Sequence, residues 1–466
     1  MSQRITKGFL VASALTAPLL LAYMAYSRPF YFTSQRYLGG LILLEFLIAA
    51  VWMYRRIFFP VVILAFLLAG VDLPVGAVWT AARWLFLAVG ALCGLFIVVK
   101  EHRYYFGLFH LTAAFAVLAA LLSATESRYP DVALLKVLSL FLLFLYAGTG
   151  ARIAVTDREN VFFARLILGC EAFVGINAAF YALGIEAMGN PNSLGAVMGV
   201  VGAPVLLWGT LVTRERSLQQ RRGVFFTVAM FLGFISHSRA GIAAAFISCG
   251  LLCLALRKYK LFTEGLIIIT IVMAATAIFR PQMISSLTSS TVYKGVDQQR
   301  GVFASRQAPW QMAIDKIGEH PWLGAGLGTT AEGGDPKKEQ GSFASNVGVT
   351  TENGSSYLSL LAGTGILGAI PCLLLLMMLI GKIWATMIWM RVTGSALHAA
   401  VPIALVLIAG IVHAGFEDWM FAPGNYLSVF FWSLAFIFID VAPKLKQHVW
   451  FLAHPAVRQQ AVSRAS

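Results

Sequence analysis

Fourteen apolar stretches follow one another along this chain of 466 residues, and they constrain its fold more than any motif does. They run near 9–26, 38–54, 57–71, 76–99, 104–124, 132–150, 161–185, 192–212, 222–237, 240–256, 261–279, 356–381, 398–416 and 426–442, each long enough or nearly long enough to cross a bilayer. With 59% hydrophobic and 12% charged residues, a soluble globular fold is excluded. The expected class is an all-α integral membrane protein with about 12–14 transmembrane helices. The third stretch, bounded by Pro60 and Asp72, is the shortest candidate. The first has Arg4 and Lys7 ahead of its apolar core, but no small-residue cleavage site closes it and Tyr26, Phe30 and Tyr31 follow, so it reads as a retained anchor. Cys93, Cys170, Cys249, Cys253 and Cys372 all lie in apolar runs without metal-ligand spacing and read as small buried hydrophobes.

One polar interval, residues 280–355, interrupts this series. A connection of about 75 residues far exceeds ordinary length, and such loops are functional or disordered. Trp310, Ile314 and Ile317 fall at helical spacing, Pro309 fits a first turn, and Gly318 and Pro321 are stop signals, which predicts a short amphipathic helix inside the loop. Arg306 lies one turn before Trp310 on the same side. Gly324, Gly326 and Gly328 follow.

The charges orient the chain. Of 35 Lys and Arg residues, 22 fall on the side that carries Arg55–Arg56, Arg152, Arg158 and Arg257, whereas the short connections of the other side carry four. The positive-inside rule therefore puts both termini in the cytoplasm and the long loop outside. Within that loop seven basic residues meet seven acidic ones, so the net charge of +14 belongs to membrane-flanking segments and not to a nucleic-acid surface. Three further polar motifs fall on the loop side: Met188-Gly-Asn-Pro-Asn-Ser193, Ser236-His-Ser-Arg-Ala-Gly241, and His413-Ala-Gly-Phe-Glu-Asp-Trp419 with Ala422-Pro-Gly-Asn425. Each alone reads as an ordinary turn or interface anchor. Their convergence on one face, against merely basic turns on the other, points to a site.

The order Ser238-Arg239-Ala-Gly241, Ser305-Arg306-x-x-x-Trp310, Pro321-Trp-Leu-Gly-Ala-Gly326, Tyr357-Leu358 and Gly365-Ile-Leu-Gly368 resembles the signature of the O-antigen ligase and polymerase superfamily, over roughly residues 185–440. The resemblance implies a GT-C-type glycosyltransferase of the bacterial inner membrane with one large periplasmic loop carrying short helices. It implies transfer of a glycan from an undecaprenyl-diphosphate carrier to an acceptor hydroxyl, on a glycan or a lipid, with no cofactor and no metal. The domain reading is residues 1–184 for N-terminal membrane helices, 185–442 for the catalytic membrane region including loop 280–355, and 443–466 for a cytoplasmic tail.

That chemistry selects residues. A lipid diphosphate leaving group needs cations that stay charged and donate in pairs, which suits Arg239 and Arg306, with Arg300 and Arg280 behind them. The competing assignment is an arginine that reaches lipid headgroups. The acceptor hydroxyl needs a base. Ligases of the superfamily carry a histidine and asparagine shortly before the Tyr-Leu pair; here the run is Thr351-Glu352-Asn353, and Glu352 takes the histidine's place. Its alternative role is a favourable acid at a helix start. Asn353, Trp310, His237, His413, Asn192 and Tyr357 are the expected substrate-binding residues, the histidines being alternatively a polar rim. The missing histidine favours polymerisation of lipid-linked repeats over transfer to lipid A core. A glycolipid transporter is the reading from another class; no inverted repeat or paired broken spans support it. Depth alone adds one structural expectation: Glu45 and Arg83 both sit roughly 10 Å below the loop-side boundary at 1.5 Å per residue and should pair, while Lys136 reaches the interface unaided.

Overall fold

The computed structural model describes residues 22–23, 25–27, 35–70, 76–102, 104–185, 188, 191–279, 304–329 and 354–443. Most of the expected first span lies outside them, as do Arg280, Arg300, Glu352 and Asn353. Every described element is helical: α1 Gln35–Trp52, α2 Tyr54–Ala69, α3 Gly76–Glu101, α4 Leu108–Ser123, α5 Pro130–Val155, α6 Glu159–Ala182, α7 Asn192–Val212, α8 Arg216–Ile235, α9 Arg239–Ala255, α10 Tyr259–Phe279, α11 Ala304–Glu319, α12 Ser356–Thr393, α13 Ala400–Ala414 and α14 Tyr426–Val441. Each apolar stretch from the second onward is one of these helices. Among the described residues, α3, α5, α6, α7 and α12 are long and apolar enough to cross a membrane alone, α1 and α2 qualify as a pair bent by 113°, and α4, α9, α13 and α14 are shorter apolar helices. The chain is an all-α integral membrane protein.

Helices apolar on every side have no face to give to water, and the fold uses two of them as its centre. In α13 the run Ala400–Gly410 is buried throughout, and in α14 so is Leu427–Phe438. The indole of Trp432, in α14, donates to the Met420 carbonyl at 2.8 Å and so fixes the α13–α14 connection against the core. α4 packs along α12, where Ser123 reaches the Gly363 carbonyl, and its buried alanines Ala113, Ala116 and Ala120 suit close helix packing.

Two expectations drawn from depth are corrected. Arg83 donates to the Gly424 carbonyl at 2.9 Å and lies against the rings of Trp84 and Phe66, at 5.3 and 5.9 Å. Glu45 is exposed on α1, and no ion pair joins it to Arg83. Depth fixes a residue's height in the bundle but not its bearing around the helix. Lys136 does not simply run to the interface: its stem lies against Gly328, and Asp418 attracts its ammonium while Arg83 repels it.

Candidate functional site

The site rests on a break in the longest helix. Unbroken, the 38 residues of α12 would measure about 57 Å, well beyond a bilayer core. The helix breaks at Gly365, with φ 61° and ψ −170°, a conformation essentially reserved for glycine. A break there orphans the amides of Ile366 and Leu367 and the carbonyls of Ala362 and Gly363, which would otherwise bond one another. Residues 321–326 take all four. Ile366 N–H donates to Pro321 O at 2.9 Å and Leu367 N–H to Trp322 O at 3.1 Å. In return, the Ala325 and Gly326 amides donate to Ala362 O and Gly363 O at 3.0 and 2.9 Å. Gly324 has φ 70°, and a Cβ on it would lie 2.5 Å from the α12 backbone. Pro321-Trp-Leu-Gly-Ala-Gly326 and Gly365-Ile-Leu-Gly368 are therefore two halves of one backbone lock, and its glycines allow the close backbone approach.

Helix α11 leads into the lock. It starts at Ala304, so Pro309 falls inside it and not in its first turn. Arg306 and Trp310 share its inward side: the Trp310 indole donates to Gly354 O at 3.2 Å, and Arg306 pairs with the carboxylate of Glu417. Both members of that pair are only 12% exposed. Ser356, fully buried at the start of α12, holds the Glu417 segment: its hydroxyl donates to Glu417 O at 2.7 Å and accepts from the Trp419 and Met420 amides at 3.0 Å each. Tyr357 donates to Ile411 O at 2.7 Å.

Arg239 enters from the α8–α9 turn. His237 supplies the reversal with φ 53°, and the Ser238 hydroxyl caps α9 by accepting from Gly241 N at 3.3 Å. The turn packs on α7 with almost no clearance, since a Cβ on Gly195 would lie 2.2 Å from the Ser236 hydroxyl. Asn192 opens α7 in the same neighbourhood, and Ser193 O accepts from Tyr426 Oη at 3.3 Å. Burial lowers the affinity of the Arg239 guanidinium for its proton, the Arg306 charge lowers it further, and Glu417 opposes both. An arginine stays charged regardless. Among the described residues, Arg306 pairs directly with Glu417, and Arg239 lies within the electrostatic reach of both.

The structure brings together Arg239, Arg306, Trp310 and Tyr357 around the chain that leaves the long loop at Gly354. His413 lies just below, 2% exposed, with its Nδ1 accepting from the Trp419 indole at 2.7 Å. That bond assigns the ring proton to Nε2, which is buried without a hydrogen-bond partner among the described residues. His237 and Asn192 stand on the flanking turn and helix start. Glu417 was not among the expected site residues, although the motif containing it was singled out. The signal available was an acid next to a membrane end on the same face as two arginines. Asp418, Lys136 and Arg83 form a second charged group alongside.

Residues 223–373 match the family model described as O-antigen ligase. The matched segment contains Arg239, Arg306, Trp310, Tyr357 and both halves of the lock, so the resemblance to the O-antigen ligase and polymerase superfamily is borne out and an activity of that general type is supported. No curated protein matches the chain.

Proposed function

We propose that the chain is a glycosyltransferase of the bacterial inner membrane that polymerises glycan carried on undecaprenyl diphosphate, working at the loop end of its bundle on the periplasmic side, with both termini in the cytoplasm. The observation behind this reading is the Arg306–Glu417 pair with the Arg239 charge close enough to act on both, beside the chain that leaves the long loop. Two forked cations suit a diphosphate, and their charge is worth most where a leaving group gains electrons.

In this mechanism Glu352 takes the proton of the acceptor hydroxyl. The freed oxygen attacks the anomeric carbon of the lipid-linked sugar. The bond from that carbon to the diphosphate oxygen breaks, and its electron pair leaves with the lipid diphosphate, whose new charge Arg239 and Arg306 neutralise. Glu417 keeps Arg306 extended into the site. Trp310 anchors Gly354, which follows Glu352 by two residues in the chain. Arg300 and Arg280 supplement the cationic surface. Asn353, Trp310, Tyr357, His237, His413 and Asn192 serve the sugar-binding walls and their support. Transfer to lipid A core is the second reading, favoured by the ligase description of the matched family.

Purified protein in liposomes with a lipid-linked repeat unit tests the proposal. Elongated products support the polymerase, and transfer only to an added lipid A core acceptor supports the ligase. Movement of the glycolipid across the bilayer with no bond change would sink both. Glu352→Gln should retain donor binding and lose most turnover, because the amide keeps the shape without accepting a proton. Normal turnover in that variant would put the base elsewhere.

A further inference from the structure

A groove of about 540 Å³ opens on the side of the bundle between α2 and α6, with α7 and α14 as its floor. Its walls are apolar along their length, including Phe59, Leu64, Phe162 and Phe430. It runs from Arg56 to Leu67 on one wall and from Arg158 to Val174 on the other, roughly 17 and 24 Å at the helical rise, which is most of one bilayer core. Leu64 and Val161 are exposed at its rim, so it faces the surrounding medium, which for these helices is lipid. Tyr426 lines it at the other end, where a Cβ on Gly70 would lie 3.4 Å from its ring.

The polar lining is concentrated at one mouth. Arg55, Arg56, Arg158 and Arg165 stand there, brought together because the sharp bend between α1 and α2 lies beside the start of α6. Arg55 is paired with Glu101, and Arg165 donates to the Arg56 carbonyl at 2.7 Å, which pins α6 to the bend. No carboxylate among the described residues pairs with Arg56 or Arg158; Asp157 and Glu159 flank Arg158 in the chain but do not line the groove. An apolar slot of membrane depth that ends in Arg56 and Arg158, neither paired with a carboxylate among the described residues, has the shape and charge of an anionic lipid.

We propose that this groove binds an anionic phospholipid, its phosphate between Arg56 and Arg158 and one acyl chain laid along α2 and α6 toward Tyr426. The site is independent of the glycosyltransferase reading, since none of its lining residues falls within the matched residues 223–373. It sits at the basic mouth, opposite the end that carries the arginine cluster.

The purified full chain in detergent, supplied with dioleoyl phosphatidylglycerol or dioleoyl phosphatidylcholine and examined by native mass spectrometry, provides the test. Phosphatidylglycerol should be retained at least tenfold better. Arg56→Gln with Arg158→Gln should bring it down to the phosphatidylcholine level. Gly169→Trp, which places a ring in the groove where nothing lies within 4 Å of a Cβ, should remove both lipids. Equal retention of the two lipids by the unaltered protein overturns the proposal without any variant, as does full retention in Gly169→Trp. Displacement by an equimolar amount of soluble glycerol phosphate would mark a site for free anions and overturn the lipid. Cross-linking of two chains through Leu64→Cys would do the same in favour of a second copy.

Discussion

Two arginine–carboxylate pairs stand at opposite ends of the bundle, and they are built differently. At the basic end, Arg152 is 3% exposed and spends its guanidinium fully: Nε and Nη2 reach Asp440 at 2.5 and 3.0 Å, Nη1 meets His110 at 3.0 Å and Gly148 O at 3.1 Å, and Nη2 also reaches Tyr105 O at 3.2 Å. The rings of Tyr104 and Phe106 lie against it, at 5.3 and 5.9 Å. At the loop end, Arg306 shares Glu417 with the field of a second arginine, Arg239. A cation whose donors are all taken by protein is a fastening between helices. A pair of cations that share one anion is a receptor for another anion.

Alanine at each arginine should separate the two roles, and the largest effect is expected there. Arg306→Ala should lower transfer below detection while folded yield falls less, because Arg239 still offsets the charge of Glu417. Arg152→Ala should do the reverse, because the buried guanidinium holds Asp440, His110 and two carbonyls together, and hydrogen bonds to a charged group are worth about 1.5–3 kcal/mol each. Detergent-solubilised yield and transfer, measured on both variants, would collapse the comparison if the two changes had the same profile. Lysine sharpens it: Arg306→Lys should recover little transfer, since a point charge cannot reproduce the fork.

The next largest effect is expected at the lock. Gly365→Ala introduces a Cβ 2.3 Å from Trp322 O in a conformation that costs about 1–3 kcal/mol even without the clash. Both folded yield and transfer should fall, unlike the selective loss at Arg306. Glu417→Gln should follow, with folded yield kept but apparent donor affinity changed several-fold, because the amide removes the charge that competes for Arg306. An unchanged KM for the lipid-linked donor would show that Glu417 has no part in anion binding. The smallest effect belongs to Trp419→Phe, which deletes the hydrogen bond to His413 and should shift stability by about 1 kcal/mol.

Most of the helices were legible in the sequence because hydropathy is local: the stretches 76–99, 192–212 and 426–442 correspond to α3, α7 and α14. The stretch 356–381 was read short, since α12 continues to Thr393 past Lys382 and Arg391, where apolarity fades but helical hydrogen bonding does not. Arg239, Arg306 and Trp310 were legible through their motifs. The lock was not, although both of its motifs were noted, because Gly365 lies in an apolar stretch that reads as continuous helix. What the break requires is a backbone partner some forty residues away, and spacing does not encode that. Glu417 escaped for a similar reason: its meaning comes from Arg306, more than a hundred residues earlier.

The close seam between α4 and α12 also has a consequence in time. Ser123, at the end of α4, donates to the Gly363 carbonyl at 2.7 Å, across 240 residues of sequence. A ribosome adding about 5–20 residues per second needs on the order of 10–50 s to deliver that partner. Throughout that interval the small-residue face of α4 has only lipid or a passing helix against it. The nascent chain must therefore keep a gap in its half-built bundle, and the last third of translation closes it.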